Sequence, residues 1–261
     1  MNFLLTLLIS LKIVSLVPSV TEIIYLLKAD SMLVGTTIYC DYPEAARKKP
    51  KVGDLLNPKI DEILRISPDV IFVTLPVQRM VMEKLKKLGF NVIPVSPESV
   101  EGILEAIELV GKYTGTEKRA SFVTDSLRRE LSLIHNTGPG LRTFFELSPR
   151  PLYTAGGTSF INEIIELAGG ENIFEDLRNS YPVVRQEDVI LRNPDVIILS
   201  YPGADPEKLR ERIGWESIKA VKDSCVFRVD PELFTRPGPR FIIAIKELSG
   251  IYRECTSKVH Q

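Results

Sequence analysis

The 261-residue chain offers little to a catalytic centre: two histidines, His135 and His260, and three cysteines, Cys40, Cys225 and Cys255. No two cysteines form a CxxC pair, so a zinc-type site of His and Cys ligands cannot be assembled. His135 closes a helical segment and His260 is the penultimate residue, and neither has the neighbours of a nucleophile–base pair. No GxSxG, Walker loop or strand-following GxGxxG is present. Cys40 lies between Tyr39 and Asp41, but a thiol needs a base to act as a nucleophile and no histidine is near it in sequence. An odd number of cysteines cannot pair completely within one chain, and the three fit either redox compartment.

Tyrosine is the better supplied group. Of eight tyrosines, Tyr39, Tyr42, Tyr153, Tyr181 and Tyr201 stand at or just beyond the ends of apolar runs that read as strands. Tyrosine gives wide, rigid contact area with a polar tip at low entropic cost, which suits a bulky ligand that is part apolar and part polar. Ser19 follows the first strand in the same way. Glu232, Phe234 and Arg236 follow the last. For any one tyrosine, an ordinary place at a loop edge is the alternative.

The elements that carry these residues alternate. Ile13–Val17 reads as a strand, followed by a helix whose Ser19 and Glu22 have the spacing of a capping box. Asn57-Pro58 opens a helix running to Arg65, Val70–Val73 is a continuous apolar strand, and Val81–Leu88, Val92–Val95 and Val100–Gly111 continue helix, strand, helix. Gly169–Asn172 reads as a helix C-cap turn. The grammar then repeats. Residues 61–71, DEILRISPDVI, align with residues 187–197, EDVILRNPDVI, at an offset of 126, and Thr21–Ile24 aligns with Asn162–Ile165 at 141. Two copies of one α/β lobe explain this; a short solenoid period does not. Phe122, Leu127, Leu131 and Ile134 recur at helical spacing between the copies. The expected organisation is an apolar segment at 1–11, an N-terminal α/β lobe at 12–115, a linking helix at 116–137 and a C-terminal α/β lobe at 138–261. In open α/β sheets ligands bind beyond the strand C-termini, so the two lobes are expected to face a cleft with those ends.

Composition narrows the class. Lys+Arg 33 against Asp+Glu 34 leaves a net charge of −1, so no nucleic-acid partner working through counterion release is expected. Hydrophobic residues at 44% and charged residues at 26% describe an ordinary folded chain. Met1–Leu11 is too short to span a bilayer and resembles the core of an export signal, without a preceding Lys or Arg or a following small-x-small site. A buried first strand with extra residues in front is the alternative.

Several segments together resemble the substrate-binding proteins of ATP-driven (ABC) importers for cobalamin and iron–siderophore complexes, most closely the cobalamin branch. They are residues 14–22 (VSLVPSVTE), 39–43 (YCDYP), 67–71 (SPDVI), 169–174 (GGENIF) and 236–240 (RPGPR), and the resemblance runs from Lys12 to Glu254. It implies the helical-backbone periplasmic binding protein fold, two α/β lobes with mainly parallel sheets joined by one long helix. It implies that Tyr39 packs on a corrin ring, that Tyr153 and Tyr181 are aromatic ligand contacts, and that Glu232 and Arg236 form a polar pair on the ligand loop. It also implies that Asp61 and Glu187, equivalent at offset 126, dock onto arginines of a twofold permease dimer. First-turn helix charge is the alternative for both carboxylates. Leu55 and Thr74 stand where the cobalamin branch carries tryptophans.

The expectation is therefore a monomeric, non-enzymatic, exported protein, periplasmic or extracellular, that delivers a small molecule to an importer permease and meets the membrane only through it. The ligand implied is cobalamin or a related corrinoid, with an iron–siderophore complex or haem as the alternative. The protein needs no cofactor of its own, and any metal arrives wrapped in the ligand. An enzyme on the same cleft, using Asp41 and Glu232, and an intracellular interaction protein are the competing classes.

Overall fold

A computed structural model describes residues 11–134 and 140–259. The apolar segment 1–11 therefore lies, apart from Leu11, outside the described residues, as do His135 and His260. The chain divides into two compact units, one of residues 1–97 and 102–124, the other of 98–101 and 125–261.

The first unit carries β1 (Ile13–Ser15), α1 (Pro18–Leu26), β2 (Leu33–Thr36), α2 (Glu44–Arg47), α3 (Ile60–Ile66), β3 (Val70–Val73), α4 (Arg79–Lys87) and β4 (Val92–Pro94). The four strands pair in parallel in the order β2-β1-β3-β4. All four residues of β3 are buried, as a parallel sheet covered on both faces requires. Val14, Leu16, Ile63, Ile71, Val73 and Leu85 form the core beneath it.

Two long helices follow, α5 (Val100–Thr114) and α6 (Glu117–Leu133). The linking helix is thus shorter than the expected 116–137 at its described end. The division between the units falls inside α6, whose 17 residues span about 25 Å. Its first half is tied to the first unit by Arg119, whose Nε donates to Leu26 O at 2.9 Å. Its second half is tied to the other unit by the Glu130–Lys246 ion pair.

The second unit contains β5 (Leu141–Pro149), β6 (Leu152–Thr154), α7 (Phe160–Leu167), β7 (Gly170–Asn172), α8 (Gln186–Arg192), β8 (Val196–Leu199), α9 (Lys219–Lys222), β9 (Val226–Arg228), α10 (Pro231–Phe234) and α11 (Phe241–Val259). β7, β8 and β9 run parallel to their neighbours, and only β6 pairs antiparallel, with β5. Phe144 packs edge-on against Phe174 and Trp215 at 6.0 and 6.1 Å. Cys225 and Cys255 form a disulfide that ties the start of β9 to α11, with Cα atoms 5.7 Å apart, and Cys40 is free and buried.

The repeat is visible residue by residue. α3 and α8, β3 and β8, and the left-handed caps Ser67 (φ 48°) and Asn193 (φ 42°) all correspond at offset 126. Asp69 and Asp195 then make the same double bond to the strand before them. Asp69 Oδ2 accepts from Lys12 N at 2.7 Å, and its N donates to Lys12 O at 2.8 Å. Asp195 Oδ2 accepts from Arg142 N at 2.9 Å, and its N donates to Arg142 O at 2.7 Å. The Pro-Asp dipeptide stops each helix and locks the register of the next strand.

Three local expectations are corrected. Ser19 does not cap α1: Pro18 starts the helix after Val17, and no side chain caps it, because proline brings the right φ and has no N–H to satisfy. The capping serine appears in the second copy, where Ser159 Oγ accepts from Asn162 N at 3.1 Å. Pro58 lies before α3 rather than in its first turn, bridging to Gly53. Gly169 does take a positive φ of 86°, but Gly170–Asn172 is strand β7, not a cap. Gly170 must be glycine there, since a Cβ would come within 2.4 Å of the Tyr252 hydroxyl.

Candidate functional site

In the first unit a group of exposed apolar side chains stands beyond the strand C-termini. Ile38, Tyr39 and Tyr42 follow β2, Leu56 lies in the turn before α3, and Val77 and Met80 follow β3. Tyr39 is 51% exposed and Tyr42 46%. The Tyr39 loop is held by Lys51, whose ammonium donates to Thr36 Oγ1 (3.0 Å), Cys40 O (3.0 Å) and Ala46 O (3.1 Å). Burial pulls the Lys51 pKa below the usual lysine range. The Cys40 thiol points inward, 3.3 Å from Thr37 Oγ1. Ser19 is also buried, on α1.

The turn carrying Leu56 is built by Gly53 and Asp54. Gly53 has φ 110°, and a Cβ there would meet Asn57 O at 2.5 Å. Asp54 Oδ1 accepts from Leu56 N at 2.8 Å and from Asn57 N at 2.7 Å, and these two donors hold its carboxyl below the usual range. Fully buried Gln78 joins this turn to two strand ends. Its Oε1 accepts from Thr74 N at 2.7 Å, and its Nε2 donates to Leu55 O at 2.7 Å and Leu16 O at 3.3 Å. Sequence reasoning passes over Lys51 and Gln78 because each gathers backbone groups from segments that no local spacing brings together.

In the second unit Tyr153, on β6, and Tyr181 are both partly exposed, at 38% and 43%. Their segments are laced together: Tyr153 bridges Val183, and Thr154 N donates to Pro182 O at 3.1 Å. Tyr201 follows β8. Burial first, then the Glu146 carboxylate, pushes its phenol up to about 12, so it stays protonated at neutral pH. Glu146 has no exposed side-chain surface and is held by two bonds from Arg212, each 2.7 Å. The Arg212 guanidinium also lies 4.4 Å above the Trp215 ring. Tyr201, Arg212, Arg150, Gln186, Lys208 and Ile213 line a pocket of about 630 Å³ in this unit.

Glu232 and Arg236 form an ion pair across one turn, and the Asp230 carboxylate caps α10 by accepting from Glu232 N at 3.0 Å. Phe234, read from sequence as a ligand contact, is fully buried 5.4 Å from Phe145. It is a core residue that supports the loop from beneath.

Asp61 and Glu187 are both exposed, each the second residue of its helix, α3 and α8. Their neighbours are committed: Glu62 to Arg65, and Asp188 to Arg185 at 3.1 Å. Neither Asp61 nor Glu187 makes a salt bridge among the described residues, so two equivalent carboxylates face solvent, one on each copy of the repeat.

No helix among the described residues is long and apolar enough to cross a membrane. Comparison with known proteins places the chain. YvrC of Bacillus subtilis, an uncharacterised ABC transporter substrate-binding lipoprotein, is 32% identical over 249 residues, covering 91% of this chain and 78% of that one. The vitamin B12-binding protein of Vibrio vulnificus strain CMCP6 is 28% identical over 246 residues, covering 91% and 88%. A crystal structure of a possible iron-binding, periplasmic solute-binding protein from Staphylococcus epidermidis superposes with a TM-score of 0.82 at 30% identity, over 92% of this chain and 97% of that one. The two lobes joined by one long helix are the architecture of this group. Residues 13–233 match the family of periplasmic binding proteins, and the chain belongs to that family, the exported substrate-binding components of ABC importers.

Proposed function

We propose that the protein is a non-enzymatic carrier that captures cobalamin or a related corrinoid and hands it to an ABC importer permease. The observation that carries this reading is the set of half-exposed tyrosines at the strand ends of each unit. Tyr39 and Tyr42 stand on a loop pinned by Lys51, and Tyr153 and Tyr181 on segments laced to each other. A rigid aromatic surface with polar tips suits a large macrocycle with amide and methyl edges. The Glu232–Arg236 pair adds a polar contact. The vitamin B12-binding relative, alignable over 91% of this chain, supports the ligand class. Asp61 and Glu187 are the docking carboxylates for the two permease subunits in this reading.

Leu55 and Thr74, where the cobalamin branch has tryptophans, favour a second reading, an iron–siderophore complex, which the iron-binding relative also supports. Calorimetric titration with cyanocobalamin, ferrichrome and haemin decides between them. Saturable 1:1 binding of cyanocobalamin well below ~10 μM is expected. No heat of binding at that concentration, with binding of ferrichrome or haemin, transfers the assignment to that ligand.

A further inference from the structure

Resting on the ligand reading above, we infer that Gln78 is the positioning residue of the first unit's ligand face. One buried amide fixes the spacing of positions 55 and 74 and presents Leu56, Val77 and Met80 beside Tyr39 as ligand contacts. Gln78 is fully buried, and both ends of its amide are used. Its oxygen takes the Thr74 N–H at 2.7 Å; its nitrogen gives one proton to Leu55 O at 2.7 Å and the other to Leu16 O at 3.3 Å. These three backbones belong to different segments: the exit of β1, the Gly53–Asn57 turn and the exit of β3. No regular pairing joins the turn to the β3 exit, so the side chain supplies the connection.

Leu56 adjoins the Leu55 anchor, and Val77 and Met80 flank Gln78 itself. Leu56 is 56% exposed, Val77 52% and Met80, in the first turn of α4, 83%, a cost a folded domain does not usually carry around one buried side chain without a use for it. The backbone of the turn is already fixed by Gly53 and Asp54. Gln78 fixes where that rigid turn sits relative to Thr74 and Val77. The second unit meets the same need with different chemistry. There the equivalent of Leu16 is Glu146, counting from the β1/β5 offset of 130, and Arg212 with Tyr201 gathers the strand ends.

The test separates donor from acceptor. Gln78→Leu removes all three bonds; Gln78→Glu keeps the acceptor for Thr74 N–H and can donate at most once, so at least one of the bonds to Leu55 O and Leu16 O is lost. Amide hydrogen exchange is read first. In Gln78→Leu, exchange at Thr74 and at Leu56 and Asn57 should accelerate at least about 10-fold, while Ile71 and Phe72 in β3 stay protected. In Gln78→Glu, Thr74 should stay slow and the turn should loosen. If Gln78→Leu does not fold, the Gln78→Glu pattern alone decides. Titration with cyanocobalamin is read second: Kd should rise about 10-fold or more at unchanged stoichiometry, whereas a merely structural role would lower the active fraction and leave Kd alone. Unchanged exchange at Thr74 in Gln78→Leu overturns the clamp. Faster exchange with an unchanged Kd overturns the role at the ligand face. If the unaltered protein binds none of cyanocobalamin, ferrichrome and haemin, the ligand reading and the contacts assigned here fall, and the exchange data still decide the clamp.

Discussion

Replacing Arg212 with Met should destabilise the second unit severely. Glu146 has no exposed side-chain surface, and both carboxylate oxygens are bonded to Arg212 at 2.7 Å. Removing the guanidinium leaves a buried charge without its partner, which costs about 3–5 kcal/mol. That is a large part of the roughly 5–15 kcal/mol that holds a domain folded. The loss of the cation over Trp215 adds about 0.5–2 kcal/mol. Urea unfolding at pH 7 followed at Trp215, the one tryptophan, should show a deficit of that size. Adding Glu146→Leu to the variant should recover most of the loss. A deficit under about 1 kcal/mol, or no recovery on adding Glu146→Leu, refutes this account of the pair.

The Cys225–Cys255 bond closes a loop with a sequence separation of 30, so its reduction should lose about 3.6 kcal/mol by chain entropy, read as a shift between oxidised and reduced urea curves of the unaltered protein; coincident curves would contradict this. Glu163 is half-buried and accepts from Val100 N at 2.7 Å; burial, ahead of the other influences, raises its pKa. A raised carboxyl pKa means the folded state loses stability as pH rises from the unfolded value of about 4.3 through the folded one. Glu163→Gln keeps the acceptor and removes the titration, so it should melt higher than the unaltered protein at pH 7 and alike below pH ~4; a lower melting point at pH 7 would contradict this. Asp61→Ala with Glu187→Ala should leave ligand affinity unchanged and abolish stimulation of the importer's ATPase; normal stimulation would remove both from the docking face.

The repeated lobe was legible in the sequence because local chemistry writes it. Val70–Val73 and Val196–Leu199 are apolar runs of a sheet covered on both faces, and each follows a Pro-Asp step that ends a helix and bonds backward. The tyrosines were legible as exposed loop-edge residues for the same reason. What was not legible depends on partners far along the chain. Gln78 bonds Leu16 across 62 residues and Arg212 bonds Glu146 across 66, distances at which no periodicity or spacing signals a contact. Phe234 was misread because a phenylalanine in a strand-end loop looks alike whether it faces ligand or core. The Ser19 cap failed because Pro18, one residue earlier, starts the helix without needing one.

The central claim, capture of a corrinoid by a tyrosine-lined carrier, is met most directly by titrating cyanocobalamin into the unaltered protein and into Tyr39→Ala. The account predicts 1:1 binding well below ~10 μM, weakened by about 1–3 kcal/mol, or roughly 5- to 150-fold, when the Tyr39 ring is removed. Absence of binding by the unaltered protein at that concentration, or an affinity that does not change in Tyr39→Ala, would contradict it.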